Sequence, residues 1–360
     1  MNRDQMLERA RSAETWDVAI IGGGATGLAC AWDAALRGHR TILIDKADFA
    51  KGTSSRTTKL IHGGVRYLKQ GNVKLVREAL RERSRLLRNA PDLVKPLPFV
   101  IPGFSWLEKI WYALGLRVYD LLTGFGKRIC PRSKLLSRDA VGEALPGLKL
   151  DDVSGGVRYF DAQFDDSRLA VAFARSAAQQ NGCVLNYVSA AGFEKSEDGR
   201  ITGIEAVDEL SGQQLLIRAK SVINATGVFA DGIIRMDDPK AEPVIQPAQG
   251  VHLALDSRFL ESDRHALMIP KTDDGRVIFV IPWHGRVLLG TTDTPRPDAE
   301  YEPRPLDEEI DYLLEHAARY LKTAPTRADV LSTWAGLRPL VRPRKGSGET
   351  KEISRSHSLF

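Results

Sequence analysis

The sequence has 360 residues, of which 43% are hydrophobic and 27% charged, enough to bury at least one large core and to divide into two domains. Its formal net charge of +5, with an isoelectric point near 9.0, is modest for this length and fits ordinary surface lysine and arginine as well as attraction to an anionic partner. No basic run with interleaved aromatics and no recognisable binding module is present, which excludes nucleic acid as an expected partner.

Met1 to Glu14 is polar and charged where a secretion signal needs an apolar run. No later stretch offers about 18 uncharged apolar residues, so neither secretion nor a membrane span is expected. Cys30, Cys130 and Cys183 are far apart and form no C-x-x-C pair. A reducing cytoplasm fits, and no metal site is signalled.

Trp16 to Ile21 reads as a first strand, Ala25 to Arg37 as a helix and Arg40 to Ile44 as a second strand ending at Asp45. This is a β-α-β unit with a short crossover. Gly22-x-Gly24-x-x-Gly27 falls where the first strand meets the helix, and the acidic Asp45 follows about 20 residues on, as dinucleotide sites require. Gly22 permits the tight turn, Gly24 lets the backbone approach a pyrophosphate, and Gly27 lets helix and strand pack closely. The helix start presents free N–H groups to the phosphates, and Asp45 can accept from the adenosine ribose hydroxyls. The fingerprint alone does not choose between NAD and FAD.

The next segment, Thr53-Ser54-Ser55-Arg56-Thr57-Thr58-Lys59-Leu60-Ile61-His62-Gly63-Gly64-Val65-Arg66-Tyr67, is rich in small hydroxyls and glycines. Such residues let the main chain approach a flat ring and its phosphates, and an ordinary polar loop explains that combination less well. Asn72 to Asn89 reads as an amphipathic helix carrying Val73, Val76, Leu80, Leu86 and Leu87 and stopped by Pro91. Between Pro96 and Pro131 the chain turns aromatic and aliphatic. There Leu107, Ile110, Trp111, Leu114, Val118, Leu121, Leu122 and Phe125 recur at steps of three and four, giving a helix over 105–128 with one apolar face. Interrupting charges and the following Lys127, Arg128, Arg132 and Lys134 suit a helix lying in a bilayer interface; a core helix of the substrate domain fits the same pattern.

A helix from Asp166 to Asn181 follows, with Gly182 past its end. Cys183 to Val188, Ala191 to Lys195, Ile201 to Val207, Gln214 to Ala219 and Ser221 to Asn224 read as strands, with hairpin turns at Asp198-Gly199 and Ser211-Gly212. Val244 to Thr292 is β-rich, including Val277 to Ile281 and Arg286 to Leu289 around Trp283-His284-Gly285, and Leu306 to Leu321 is helical. With no repeat or low-complexity linker, a second domain is expected to be woven into the first by insertion.

The residues quoted above, together with Ala225-Thr226-Gly227 after the Ser221 to Asn224 strand, resemble the FAD-dependent glycerol-3-phosphate dehydrogenases, a branch of the D-amino-acid-oxidase-like flavoproteins. The resemblance runs from Asp17 onward. Ile21 to Gly27, Asp33 and Arg37-Gly38 match that family's fingerprint, whereas Leu28 and Ala29 stand where a small residue and a glycine are usual. It implies an α/β fold: a Rossmann-like FAD-binding domain over 16–95, 160–235 and 330–360, with an inserted β-rich (α+β) substrate domain over 96–159 and 236–329.

The resemblance also implies that Ser54, Ser55, Thr58, Lys59, Leu60 and His62 neighbour FAD and that Ala225-Thr226-Gly227 returns the chain to it. It places Arg66 and Tyr67 in the active site, makes His252 a candidate base, and makes Arg338 and Arg355 substrate arginines. Arginine suits a phosphate because its planar fork binds oxygens in pairs, and histidine suits proton transfer because its pKa lies near neutrality. His252 follows Gly-Val where the family often has Gly-Ser, which removes a neighbouring hydroxyl. The other histidines, His284 included, read as structural or exposed.

The implied reaction oxidises sn-glycerol 3-phosphate to dihydroxyacetone phosphate by hydride transfer from C2 to flavin N5, with electrons passing to a membrane quinone. The protein would then sit peripherally on the inner face of the cytoplasmic membrane, and a homodimer is weighed as a further assembly. Two alternatives stay open: an oxygen-using flavin oxidase of the same superfamily, and a non-catalytic flavin- or nucleotide-binding module. Ser356-His357-Ser358-Leu359-Phe360 reads as an apolar strand in mid-domain. The family continues with a Gly-Gly-Lys segment, so a chain ending here is expected to bind FAD weakly and turn over little. Whether His252 or that lysine takes the proton is left open.

Overall fold

The computed structural model describes residues 1–12, 14–64, 72–122, 129–270 and 272–342, so Arg66, Tyr67 and Arg355 lie outside the described residues. The polar lead proves helical. Helix α1 (Arg3–Arg11) begins at Asn2, whose side chain accepts from the Gln5 N–H, and it buries Met6, Leu7 and Ala10. That side chain satisfies one of the amides a helix start leaves without an intrahelical partner. Three apolar residues in nine make too faint a stripe to read from sequence.

Strand β1 (Trp16–Ile21), helix α2 (Ala25–Leu36) and strand β2 (Thr41–Asp45) fall within a residue of their expected limits. After the short β3 (Leu60–Ile61), α3 (Val73–Asn89) turns Val76, Leu80, Leu87 and also Arg83 inward. The aromatic and aliphatic stretch divides into β4 (Val94–Gly103) and α4 (Trp106–Leu122). Then come β5 (Lys134–Leu136), α5 (Arg138–Ala144), β6 (Gly155–Phe164) and α6 (Asp166–Gln179), the last capped by the Asp165 carboxylate.

The expected strand Cys183 to Val188 is two strands, β7 (Cys183–Asn186) and β8 (Val188–Lys195), because Tyr187 between them takes a positive φ of 54°. β8 pairs with β9 (Ile201–Asp208) in the first expected hairpin, and β9 with β10 (Gln214–Asn224) in the second. β10 joins two expected strands into one: Lys220 stays extended and its Nζ binds Asp17 Oδ1 at 2.6 Å. The remaining elements are α7 (Ala230–Asp237), β11 (Ile245–Asp256), β12 (Ala266–Ile269), β13 (Ile278–Trp283), β14 (Arg286–Gly290), β15 (Thr294–Pro295), α8 (Asp307–Tyr320) and β16 (Ser332–Val341).

Among the described residues two sheets form. In the first, ordered β7-β2-β1-β10-β9-β8, the strands β7, β2 and β1 and the Ala219–Asn224 half of β10 are parallel, while the Gln214–Arg218 half of β10 runs antiparallel to β9. Ile20, Ile42, Leu43, Ile44 and Leu28 are buried in its core, each side chain contributing about 1.5–3 kcal/mol. Trp32 of α2 meets Phe173 of α6 with ring centroids 5.7 Å apart.

The second sheet is ordered β15-β11-β14-β13-β12-β4-β6-β3, with β16 beside β11 and β5 beside β6. One core joins α8 to this sheet through Val251, Leu253, Val280 and Leu313, and another joins α3 and α4 through Leu80, Phe99, Tyr119 and Tyr159. Residues 60–61, 160–164 and 332–341 are hydrogen-bonded into this sheet, whereas the resemblance implied their place in the FAD-binding domain. Local alternation marks a strand but not the sheet it joins.

Candidate active site

At the carboxyl ends of β1 and β2 the chain turns through Gly22, whose φ is +112°, a region open to glycine. A Cβ on Gly22 would stand 2.6 Å from the Ala225 carbonyl oxygen, and one on Gly27 only 1.9 Å from that of Gly22. The Ala225 N–H donates to Ile21 O at 2.8 Å, and Asn224 Oδ1 accepts from the N–H and hydroxyl of Thr226. Gly227 completes this turn with a φ of +61°. The glycine fingerprint and the later Ala225-Thr226-Gly227 turn therefore form one packed cradle.

Gly24 starts α2 without a side-chain cap, and Ser54 Oγ accepts from the Ala25 N–H at 2.9 Å. Asp45 Oδ2 accepts from the Gly23 N–H at 2.6 Å and Oδ1 from the Ala47 N–H at 2.8 Å. Burial raises its pKa, and these two N–H groups oppose the shift. Each carboxylate oxygen keeps a further lone pair for a hydroxyl. A helix start with room for phosphates only because side chains are missing, followed by an acid at the next strand end, fits a dinucleotide.

The hydroxyl-rich loop ties this cradle to the second sheet. Thr53 Oγ1 donates to Leu337 O at 2.6 Å. Lys59, at a φ of +60°, turns its ammonium back to Ser55 O and to Asp166 Oδ1, each at 2.7 Å. Asp166 Oδ2 accepts from the Thr57 hydroxyl at 2.7 Å. Thr58 Oγ1 lies 2.8 Å from His252 Nε2. Leu60 instead packs in the core with Val76 and Leu80, and His62 is exposed, its ring 6.2 Å from that of Phe279.

His252 sits in mid-β11, opposite Trp334 of β16 and Gly290 of β14. Its imidazole stacks on the Trp334 indole at 5.1 Å, the planes 13° apart. Gly290 leaves room for the ring, since a Cβ there would come within 2.3 Å of His252 Cδ2. The residue is 2% exposed, and Nδ1 has no hydrogen-bond partner. Burial, then the Arg338 and Lys59 cations, push its pKa down to about 3, so the ring is neutral.

Arg338 lies on β16 opposite Ala248. Its guanidinium donates to Gln249 O, Asp293 Oδ1, Thr291 Oγ1 and Thr292 O at 2.9–3.2 Å. A Cβ on Gly250 would come within 2.5 Å of its Nη2. Thr58, Lys59, His252 and Arg338 are thus brought to one region.

Sequence reasoning missed the groups that brace these residues: Asp166, Gly290, Asp293 and Trp334. It also missed a buried ion pair, in which Arg83 Nη1 of α3 binds Asp161 Oδ1 of β6 at 2.5 Å. Burial works against the guanidinium's charge and the Asp161 carboxylate outweighs it, so the Arg83 pKa is raised. The Tyr119 hydroxyl of α4 and the Gly63 N–H reach the same carboxylate oxygen at 2.7 and 3.2 Å. An arginine inside an amphipathic pattern was the available signal. On the other side of α4, Ile110, Trp111, Leu114, Val118 and Leu121 are exposed, Trp111 by 67%. Among the described residues no helix is long and apolar enough to cross a membrane.

A glycine cradle on a parallel sheet, linked by a hydroxyl-rich loop to a second sheet bearing a neutral histidine and a braced arginine, defines a two-unit flavoprotein class. The chain belongs to the FAD-dependent oxidoreductase family, whose model matches residues 17–356. It is 40% identical over 370 residues to the mitochondrial glycerol-3-phosphate dehydrogenase of Homo sapiens, covering 99% of this chain and 50% of that protein. To the probable mitochondrial glycerol-3-phosphate dehydrogenase of Caenorhabditis elegans it is 40% identical over 368 residues, with the same coverage. The chain thus spans about half the length of the curated relatives it matches.

Among solved structures, the glycerol-3-phosphate dehydrogenase of Bacillus halodurans complexed with FAD is 32% identical, with a TM-score of 0.76 over 94% of this chain and 60% of that one. Glycine oxidase from Bacillus cereus shares the fold, with a TM-score of 0.63 at 22% identity over 91% of this chain and 84% of that one. FAD is the cofactor of this family.

Proposed function

We infer that the protein oxidises sn-glycerol 3-phosphate to dihydroxyacetone phosphate. The observation that carries this reading is the neutral, buried His252 beside the braced Arg338, on a sheet tied by residues 53–59 to the glycine cradle. Similarity to glycerol-3-phosphate dehydrogenases over nearly the whole chain supports the choice of substrate.

Oxidising a secondary alcohol removes the C2 hydrogen with two electrons, and the hydroxyl loses a proton as the ketone forms. FAD, when bound, supplies the acceptor for the two electrons. Gly22, Gly24, Gly27 and Ala225-Thr226-Gly227 form the phosphate cradle, Ser54, Ser55 and Thr58 offer hydroxyls around it, and Asp45 offers oxygens to the ribose. His252 is assigned the hydroxyl proton: its ring is neutral and oriented by Thr58 and Trp334. Burial first, and then the Arg338 and Lys59 cations, hold its proton affinity down. A substrate phosphate beside Arg338 would offset the part of that shift due to the cations and leave the part due to burial. Arg66, Tyr67 and Arg355 are assigned to the same site by resemblance.

For the electron acceptor we assign a membrane quinone, reached from the inner face of the cytoplasmic membrane. The outward apolar stripe of α4 supports peripheral attachment there. Arg338→Lys tests the substrate reading, since lysine keeps the charge and loses the planar fork. The efficiency kcat/KM with glycerol 3-phosphate is expected to fall by about 10- to 100-fold, the worth of a charged hydrogen bond, with FAD content unchanged. An unchanged kcat/KM removes Arg338 from the substrate site.

A further inference from the structure

Residues 296–305, between β15 and α8, have no regular secondary structure. Both ends are pinned to β11: the Arg296 N–H donates to Pro247 O at 2.9 Å, and Arg304 O accepts from Gln249 Nε2 at 3.0 Å. Gln249 is fully buried and is itself held by Glu309 at 2.6 Å. The segment is therefore a strap with fixed feet on the second sheet.

Its tip reaches across to the first unit. The Tyr301 ring lies 5.5 Å from that of Phe229, which follows the Ala225-Thr226-Gly227 turn. Lys46 Nζ, next to Asp45, stands 5.0 Å over the same ring. Glu302 pairs with Lys51 and, at 2.6 Å, with Arg56. Every one of these partners belongs to the loops around the cradle, and none to the second sheet.

We propose that this strap is a latch over the adenosine half of the FAD site, with Tyr301 the residue that covers it. The inference rests on the FAD reading above. In dinucleotide folds the acid ending the second strand marks the ribose end, and Tyr301 spans the gap between that strand end and the later turn. A half-buried phenol at this place covers a flat, apolar base edge at little conformational cost. Burial, then the Asp45 and Glu302 carboxylates, raise the Tyr301 pKa to about 12, so the ring faces the cofactor uncharged. Glu302 is more than half exposed, and its pairs with Lys51 and Arg56 orient the tip and add little to its hold.

The test compares FAD with FMN, which carries the same isoalloxazine and one phosphate but no adenosine. Dissociation constants are measured by quenching of flavin fluorescence on apoprotein of the parent and of Tyr301→Ala, Tyr301→Phe and Glu302→Gln. Tyr301→Ala is expected to weaken FAD about tenfold, the loss of one aromatic contact, and to leave FMN within about twofold of the parent. Tyr301→Phe and Glu302→Gln are expected to hold FAD within about threefold of the parent. Unchanged FAD affinity in Tyr301→Ala, or equal losses for FAD and FMN, overturns the latch. Failure of the parent to bind FAD overturns the underlying reading instead.

Discussion

His252 lies flat against Trp334, ring centroids 5.1 Å apart and planes 13° from parallel, and its Nδ1 has no hydrogen-bond partner. The stack joins neighbouring strands, so the imidazole is oriented by the sheet itself and not by a mobile side chain. Its remaining nitrogen meets Thr58. Gln249 Oε1 and Trp334 Nε1 beside it are likewise buried without a hydrogen-bond partner, an unusual concentration for a protein interior.

His252→Gln removes the assigned base and keeps a polar side chain. The rate of bound-flavin reduction by glycerol 3-phosphate is expected to fall by about 10²–10⁴-fold, with FAD content maintained. Stopped-flow absorbance measures it, and a fall of less than about threefold would return the proton to another group.

The same residue sets a pH dependence of stability. Its pKa is about 3 when folded, against an ordinary value of 6.5, so between these values the unfolded chain takes up a proton that the folded chain refuses. The stability it confers is full above 6.5 and is lost as pH falls toward 3. His252→Gln is therefore expected to flatten the fall of the melting temperature between those pH values, measured by calorimetry; curves that stay parallel contradict it.

The glycines separate into two kinds. Gly27→Ala places a Cβ 1.9 Å from the Gly22 carbonyl oxygen, and loss of FAD binding or of folding is expected. Gly115, inside α4, has open space around it, with no atom beyond its chain neighbours and the adjoining helix backbone within 4 Å of where an alanine methyl would stand, and Gly115→Ala is expected to stabilise by about 0.5–1 kcal/mol. Thermal unfolding of the two variants checks both directions.

These contrasts mark what sequence alone conveys. Gly22, Gly24, Gly27 and Asp45 were legible because their roles follow from spacing along one β-α-β unit. The alignment of Trp334 with His252 depends on strand register between distant segments, and that of Asp293 with Arg338 on a connection between β14 and β15 brought to β16; no local pattern encodes either. The packing of Leu60 with Val76 and Leu80 was hidden for a related reason: the loop that carries it becomes a strand only by pairing with the distant β6. The helix α1 was missed because its few apolar residues serve packing against a sheet that the local sequence does not define.

Arg83 and Asp161, both about 2% exposed, form a pair whose halves are costly alone. Asp161→Asn or Arg83→Met is expected to destabilise by about 3–5 kcal/mol, since each leaves a buried partner uncompensated. Because Asp161 also receives Tyr119 and the Gly63 N–H, Tyr119→Phe should cost less, about 1 kcal/mol. Chemical denaturation ranks the three, and equal losses would contradict the assignment of the charge as the larger contributor.

The exposed stripe of α4 leads to a separate expectation. A double substitution, Trp111→Glu with Leu114→Glu, replaces two residues that are more than half exposed, so the fold should persist. Co-sedimentation with vesicles containing anionic lipid is expected to fall at least about tenfold, as two large apolar anchors are lost. Unchanged sedimentation would remove α4 from the membrane contact.

The central claim is that the FAD site and the His252–Arg338 region act together on a phosphorylated alcohol. The most direct measurement is the long-wavelength absorption of the FAD-loaded protein, followed without oxygen as glycerol 3-phosphate is added, with glycerol as the control. The account predicts bleaching by glycerol 3-phosphate and none by glycerol at the same concentration. Bound FAD that keeps its absorbance in saturating glycerol 3-phosphate, or that glycerol bleaches equally well, would contradict it.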